Sequence, residues 1–151
     1  MVTLAYLAVQ IRQNTRALKT ASRQEIVSEF RAYNRLFFEP GVNESYMAGL
    51  RHYPDLPPEQ HGAFSNLLND HTLFFQGAFA LHEAGTLEDE TYEAYLRFFA
   101  ANVATPGGAA WWAEISFLYP PRMVQEVEAR IRRGDVPELV ALDAFPEPPA
   151  A

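Results

Sequence analysis

The 151-residue chain has no cysteine. Disulfides, zinc–thiolate sites and cysteine nucleophiles are therefore excluded. It also lacks any run of about 20 apolar residues, the length a membrane-spanning helix needs. Its most apolar stretch, residues 1–9 (MVTLAYLAV), is less than half that long. That stretch is a poor signal peptide as well: no basic region precedes it and no small-residue cleavage site follows. Positive charge is scarce. Lys and Arg total 12 against 19 Asp and Glu, and the formal net charge is −7. A general nucleic-acid binder needs clustered cations for its phosphate contacts, so no nucleic-acid partner is expected. Most of the basic residues are split between the N-terminal segment and Arg130, Arg132 and Arg133. No β-hairpin pattern, internal repeat or low-complexity linker divides the chain.

What is present is apolar and aromatic. Hydrophobic residues make up 48% of the chain and aromatics 13%, enough for one folded domain of this length. The spacing predicts an all-α fold: an antiparallel helical bundle of about four main helices plus short connecting helices. A first helix is expected over residues 2–38, with Leu4, Leu7, Ile11, Leu18, Ile26, Phe30, Tyr33 and Phe37 at helical intervals. The stripe thins between Asn14 and Arg23, where a bend or break is expected. Pro40-Gly41 ends the helix. A short helix over 42–51 follows, then the rigid Pro54–Pro58 connector. A long helix over 58–84 carries Phe64, Leu67, Leu68, His71, Phe75, Ala78, Phe79 and His82, with Gly85 as its C-cap residue. Thr86-Leu87-Glu88-Asp89 reads as a capping box opening a helix with Tyr92, Tyr95, Leu96, Phe99 and Val103 on one face. Thr105-Pro106-Gly107-Gly108 opens a helix with Trp111, Trp112, Ile115 and Leu118, and a last helix over 121–133 ends at Gly134. Residues 1–134 form one domain in this reading. Residues 135–151 read as a flexible acidic, Pro-rich tail in which 137–142 form at most a turn or two.

Catalytic constellations are weak, and no catalytic residue, metal or cofactor is assigned. His71 and His82 share one helix face but lie about 16 Å apart by helix rise, too far to share an ion. Each would need carboxylates from elsewhere, such as Glu25 and Glu29, which are one turn apart. The di-iron Glu-x-x-His signature is absent, and His82-Glu83 leads into Ala84-Gly85-Thr86 rather than HExxH. A buried histidine hydrogen-bonded to Asn34 is the expected structural role. Ser22, Ser28, Ser45, Ser65 and Ser116 fall in helical pattern without a nucleophile elbow. Trp111 and Trp112 point about 100° apart on a helix, so one is expected in the core and the other partly exposed as a contact. Of Phe37-Phe38, Phe74-Phe75 and Phe98-Phe99, each pair is expected to feed one ring to the core. His71, His82, Asn34, Trp111 and Trp112 are thus the candidate ligand-binding residues. The Thr105–Gly108 turn has no nearby cation for an anion site; its glycines suit close helix approach.

The N-terminal segment is the most informative. Its apolar start runs into Arg12, Arg16, Lys19 and Arg23 before the first acid, Glu25. Three readings stand: the end of a membrane anchor, an ordinary buried first helix, or a shallow interfacial or oligomer contact through Leu4, Leu7, Ile11, Arg12 and Arg16. As given, residues 1–11 are expected to meet their own bundle or a second copy. Next to a membrane, the basic flank would put the domain on the cytoplasmic side.

The segment Leu4-Ala5-Tyr6-Leu7-Ala8-Val9-Gln10-Ile11-Arg12-Gln13-Asn14-Thr15 resembles an uncharacterised bacterial family with an N-terminal membrane helix ending in a YLAxQIRQNT-like segment, followed by a small all-helical domain. Residues 30–36, the long third helix, Gly85-Thr86-Leu87 and Thr105-Pro106-Gly107-Gly108 with Trp112 extend the similarity over most of residues 4–133. The resemblance implies a membrane-associated topology at the cytoplasmic side of the inner membrane and no activity. The chain lacks the upstream half of that membrane helix, so a full span would take an in-frame apolar extension before Met1. The expected function is a non-enzymatic interaction or scaffold domain for an unknown protein partner or for a second copy as a homo-oligomer. The alternative is a soluble helical domain binding a small apolar ligand or metal.

Overall fold

In a computed structural model, which describes residues 2–139 and the backbone alone at Val2, six α-helices pack without a strand among the described residues. They are α1 (Val2–Leu36), α2 (Val42–His52), α3 (Pro58–Glu83), α4 (Asp89–Val103), α5 (Pro106–Ile115) and α6 (Pro121–Arg132). Short 3-10 turns cover Tyr53–Asp55 and Ser116–Leu118. The all-α bundle anticipated from the periodicity is what forms. Helix α3 lies centrally and packs against α1, α2 and α4, while α4 also meets α5 and α6.

The core follows the helical stripes. Phe64, Leu68, His71 and Phe75 of α3 recur at spacings of three or four and are fully buried. Tyr92, Leu96, Phe99 and Val103 of α4, Trp111 of α5 and Met123 and Val127 of α6 close around them. Both tryptophans are buried, which corrects the expectation that one would be partly exposed. The reason is that α5 is surrounded: Trp111 Nε1 donates to Ser65 Oγ of α3 at 2.9 Å, and Trp112 stacks on Tyr119 at 5.7 Å. Of the aromatic pairs, Phe37-Phe38 and Phe98-Phe99 each send one ring to the core as expected, while Phe74 and Phe75 both go inside. Helix α5 stops at Ile115, so Leu118 leaves the stripe and lies exposed beside Phe117.

Glycines set the tightest crossing. A Cβ on Gly107 would sit 1.8 Å from the Gly49 carbonyl oxygen, and one on Gly49 would sit 2.0 Å from the Phe64 ring. Helices α2 and α5 therefore touch backbone to backbone. Thr105 caps α5: its Oγ1 accepts from Gly108 N at 3.1 Å and donates to the Asn102 carbonyl at 2.8 Å. Thr86 behaves differently from the expected capping box. Its hydroxyl donates back to the Leu81 carbonyl at 3.0 Å, closing the end of α3, and α4 begins three residues later without a side-chain cap. Asp89 and Glu90 in its first turn supply charge that suits the helix N-terminus instead. Gly85 turns the chain with φ near 71°.

One further expectation changes. No break interrupts α1 between Asn14 and Arg23. The segment contains Arg16, Ala17, Leu18, Lys19, Ala21 and Arg23, all good helix formers, and Thr15 and Thr20 hydrogen-bond to the carbonyls one turn back. The start of the expected tail contacts the bundle. Residues 135–139 are non-helical, but Asp135 pairs with Arg130 at 3.1 Å, and Val136 and Leu139 pack on the core. The rest of that tail, 140–151, lies outside the described residues.

Candidate functional site

Helix α1 has two halves with different surroundings. From Thr3 to Ala21 every residue is exposed; the first buried side chains are Ser22 and Ile26. Leu4 is 77% exposed and Ile11 66%, with Tyr6, Leu7, Val9 and Leu18 also open. The reading of this segment as an ordinary buried first helix, or one seated on its own bundle, is therefore corrected: among the described residues α1 projects past the end of α3, with Glu88 beside Arg12, Arg16 and Lys19 but without burying any of them. Arg12 and Lys19 flank the apolar stripe, Arg16 lies farther round the helix, and all three are exposed.

The second half of α1 packs on α3 and leaves a groove on its other side. Its walls include Ile26, Tyr33 and Leu36 of α1 and Leu73, Phe74 and Gly77 of α3, with Ala32 and Ala80 beside them. Glu25, Glu29 and Asp70 also line it, and no base does. Among the described residues neither Glu25 nor Glu29 makes an ion pair. Gly77 has open space where a Cβ would be, and Leu73 is 53% exposed. The Glu25–Glu29 pair stands out in sequence because it sits one turn apart. Gly77 and Leu73 do not, because only the packing of α1 on α3 makes them a wall.

His71 lies at the buried centre. It is fully enclosed, and Tyr33 stacks on it at 4.9 Å between ring centres, with Phe98 at 5.0 Å and Phe99 edge-on at 5.1 Å. Neither ring nitrogen has a hydrogen-bond partner. The anticipated bond to Asn34 is absent: Asn34 is exposed and donates to the Phe30 carbonyl one turn back at 2.9 Å. Aromatic rings fill the space between α1 and α3 where that amide would have to reach. Burial pulls the His71 pKa down to about 3, so the imidazole is neutral at ordinary pH. A neutral, enclosed imidazole is no proton shuttle for bulk substrate. Near it runs a polar chain missed in the sequence: Tyr33 Oη donates to Tyr46 Oη at 3.3 Å, and Tyr46 Oη donates to Asn102 Oδ1 at 2.9 Å. Burial pushes both phenols up, so they stay protonated.

His82 sits at the other end of α3. It stacks on Tyr92 at 4.0 Å and its Nε2 lies 3.1 Å from Asp89 Oδ1. The structure thus separates the two histidines and brings neither to Trp111 or Trp112. Glu25 and Glu29 line the surface groove rather than either imidazole. Among the described residues no three His, Asp or Glu side chains gather as a metal site, and no helix is long and apolar enough to cross a membrane. No family model matches the chain, and no curated protein or solved structure does.

Proposed function

We propose that this chain is a non-enzymatic interaction or scaffold domain that presents the first half of α1 as its contact element, at the cytoplasmic face of a bacterial membrane. The observation that carries the reading is the projecting helix itself. About 20 residues of α1 extend with no cover, apolar on one face and basic beside it. A helix of that length is marginal alone in water and gains its stability from an apolar surface. Exposed apolar stripes of this kind mark interaction sites. The resemblance to a family with a membrane helix before a QIRQNT segment supports the same location. Arg12, Arg16 and Lys19 suit anionic lipid headgroups, at about 1 kcal/mol each.

Cosedimentation with vesicles tests the location. Binding is expected to vesicles containing anionic lipid and to fall by about 100-fold on replacing Arg12, Arg16 and Lys19 together with Gln. Equal partition to neutral and anionic vesicles, or none to either, would sink the membrane assignment.

A further inference from the structure

The exposed half of α1 and the acidic groove beside its buried half share one helix face. Leu4, Leu7, Ile11, Leu18, Glu25, Glu29 and Leu36 follow one another at steps of three, four or seven residues. Such steps keep a single line along a helix, drifting only about 20° per seven residues. The apolar stripe of the arm therefore runs straight into the groove. Two copies of α1 laid antiparallel would put the arm of each against the groove of the other. The lengths agree: residues 4–18 span about 21 Å and the groove face, residues 25–36, about 17 Å by helix rise. The charges are complementary. The arm carries Arg12, Arg16 and Lys19, and the groove lining carries Glu25, Glu29 and Asp70 with no base. Arg12 and Lys19 lie about a quarter-turn round α1 from the apolar line, at the edge of such a contact. With Arg12 level with Glu29, the two-fold axis passes between Thr20 and Ala21. Ala32, Gly77 and Ala80 leave room for a helix to approach closely. The contact is isologous, so one patch made of arm and groove serves both copies.

We infer that the α1–α3 groove is the docking site for the projecting arm of a second copy of this chain, giving an antiparallel two-fold dimer. This rests on the reading of α1 as the contact element, and it names the partner.

The test is a charge swap read by analytical ultracentrifugation of the full chain. The wild-type chain is expected to sediment as a dimer. R12E/R16E and E25K/E29K are each expected to weaken the dimer on the order of 100-fold or more, since each sets like charges against one another. Mixing the two variants restores both contacts and is expected to return a dimer of mixed composition; the chain carrying all four changes is expected to dimerise with itself. All four positions are exposed, and circular dichroism checks the fold of each variant. A wild-type monomer up to its solubility limit overturns the inference, as does a dimer that survives both reversals. A monomer that still binds anionic vesicles defeats the dimer alone, leaving the contact role of α1 intact. A dimer unchanged after removal of residues 1–19, in a chain that also ignores vesicles, defeats both.

Discussion

His71 is enclosed by rings from α1, α3 and α4, and both of its nitrogens face apolar neighbours without a hydrogen bond. A buried polar atom left unpaired costs about 1–3 kcal/mol. The same enclosure sets a pH dependence. The folded imidazole titrates near 3, while the unfolded one titrates near the ordinary 6.5. Between those values the unfolded chain binds the extra proton, so stability falls as pH drops below about 6.5 and the loss continues to about 3. The slope from this group is about 1.4 kcal/mol per pH unit. Replacing His71 with Leu is expected to flatten the urea-unfolding midpoint between pH 4 and 6 relative to wild type. An unchanged acid slope would show that His71 is not the group responsible. The histidine's place on the apolar face of its helix was legible in its spacing from Leu68 and Phe75. Its lack of a partner was not, because that depends on which rings α1 and α4 bring over it.

Helix ends and crossings divide in the same way. The Thr105-Pro106 start of α5 was legible because the hydroxyl that caps it and the amide it caps lie three residues apart. The Thr86 start of α4 was misread, since the Leu81 carbonyl at the open end of α3 takes the hydroxyl first. The α2–α5 crossing was half legible. Gly107 suggested a close approach, but its counterpart, the Gly49 backbone, is 58 residues away in sequence. Gly107→Ala is expected to destabilise by about 3 kcal/mol or more, because its methyl would meet a backbone carbonyl that cannot rotate away. Gly62→Ala has open space and sits inside α3, so a gain of about 0.5–1 kcal/mol is expected. Chemical denaturation of the two variants checks both signs; equal effects would count against the crossing.

Across the domain, stability comes from the bundle and association from the arm. The core begins at Ser22 and Ile26, and ion pairs tie its far side: Arg122 to Glu83, and the buried Arg130 to Glu93 and Asp135. Nothing in that framework touches residues 3–21, all of which are exposed. Removing residues 1–19 is therefore expected to leave the melting temperature within about 2 °C, measured at a protein concentration low enough to suppress self-association. A drop of about 10 °C would mean that the arm folds back onto its own bundle in solution.

Local rules sufficed for the helices, their approximate ends, the all-α class and the amphipathic, basic character of the first segment. Each depends on residues within a turn or two of one another, where periodicity and side-chain chemistry act directly. The tertiary structure alone decided which apolar stripes are covered. Residues 4–18 and 64–79 carry similar stripes, yet among the described residues α3 is wrapped on several sides while the first half of α1 stays exposed. Burial depends on the path of the whole chain, and no helix records in its own sequence whether a neighbour will arrive.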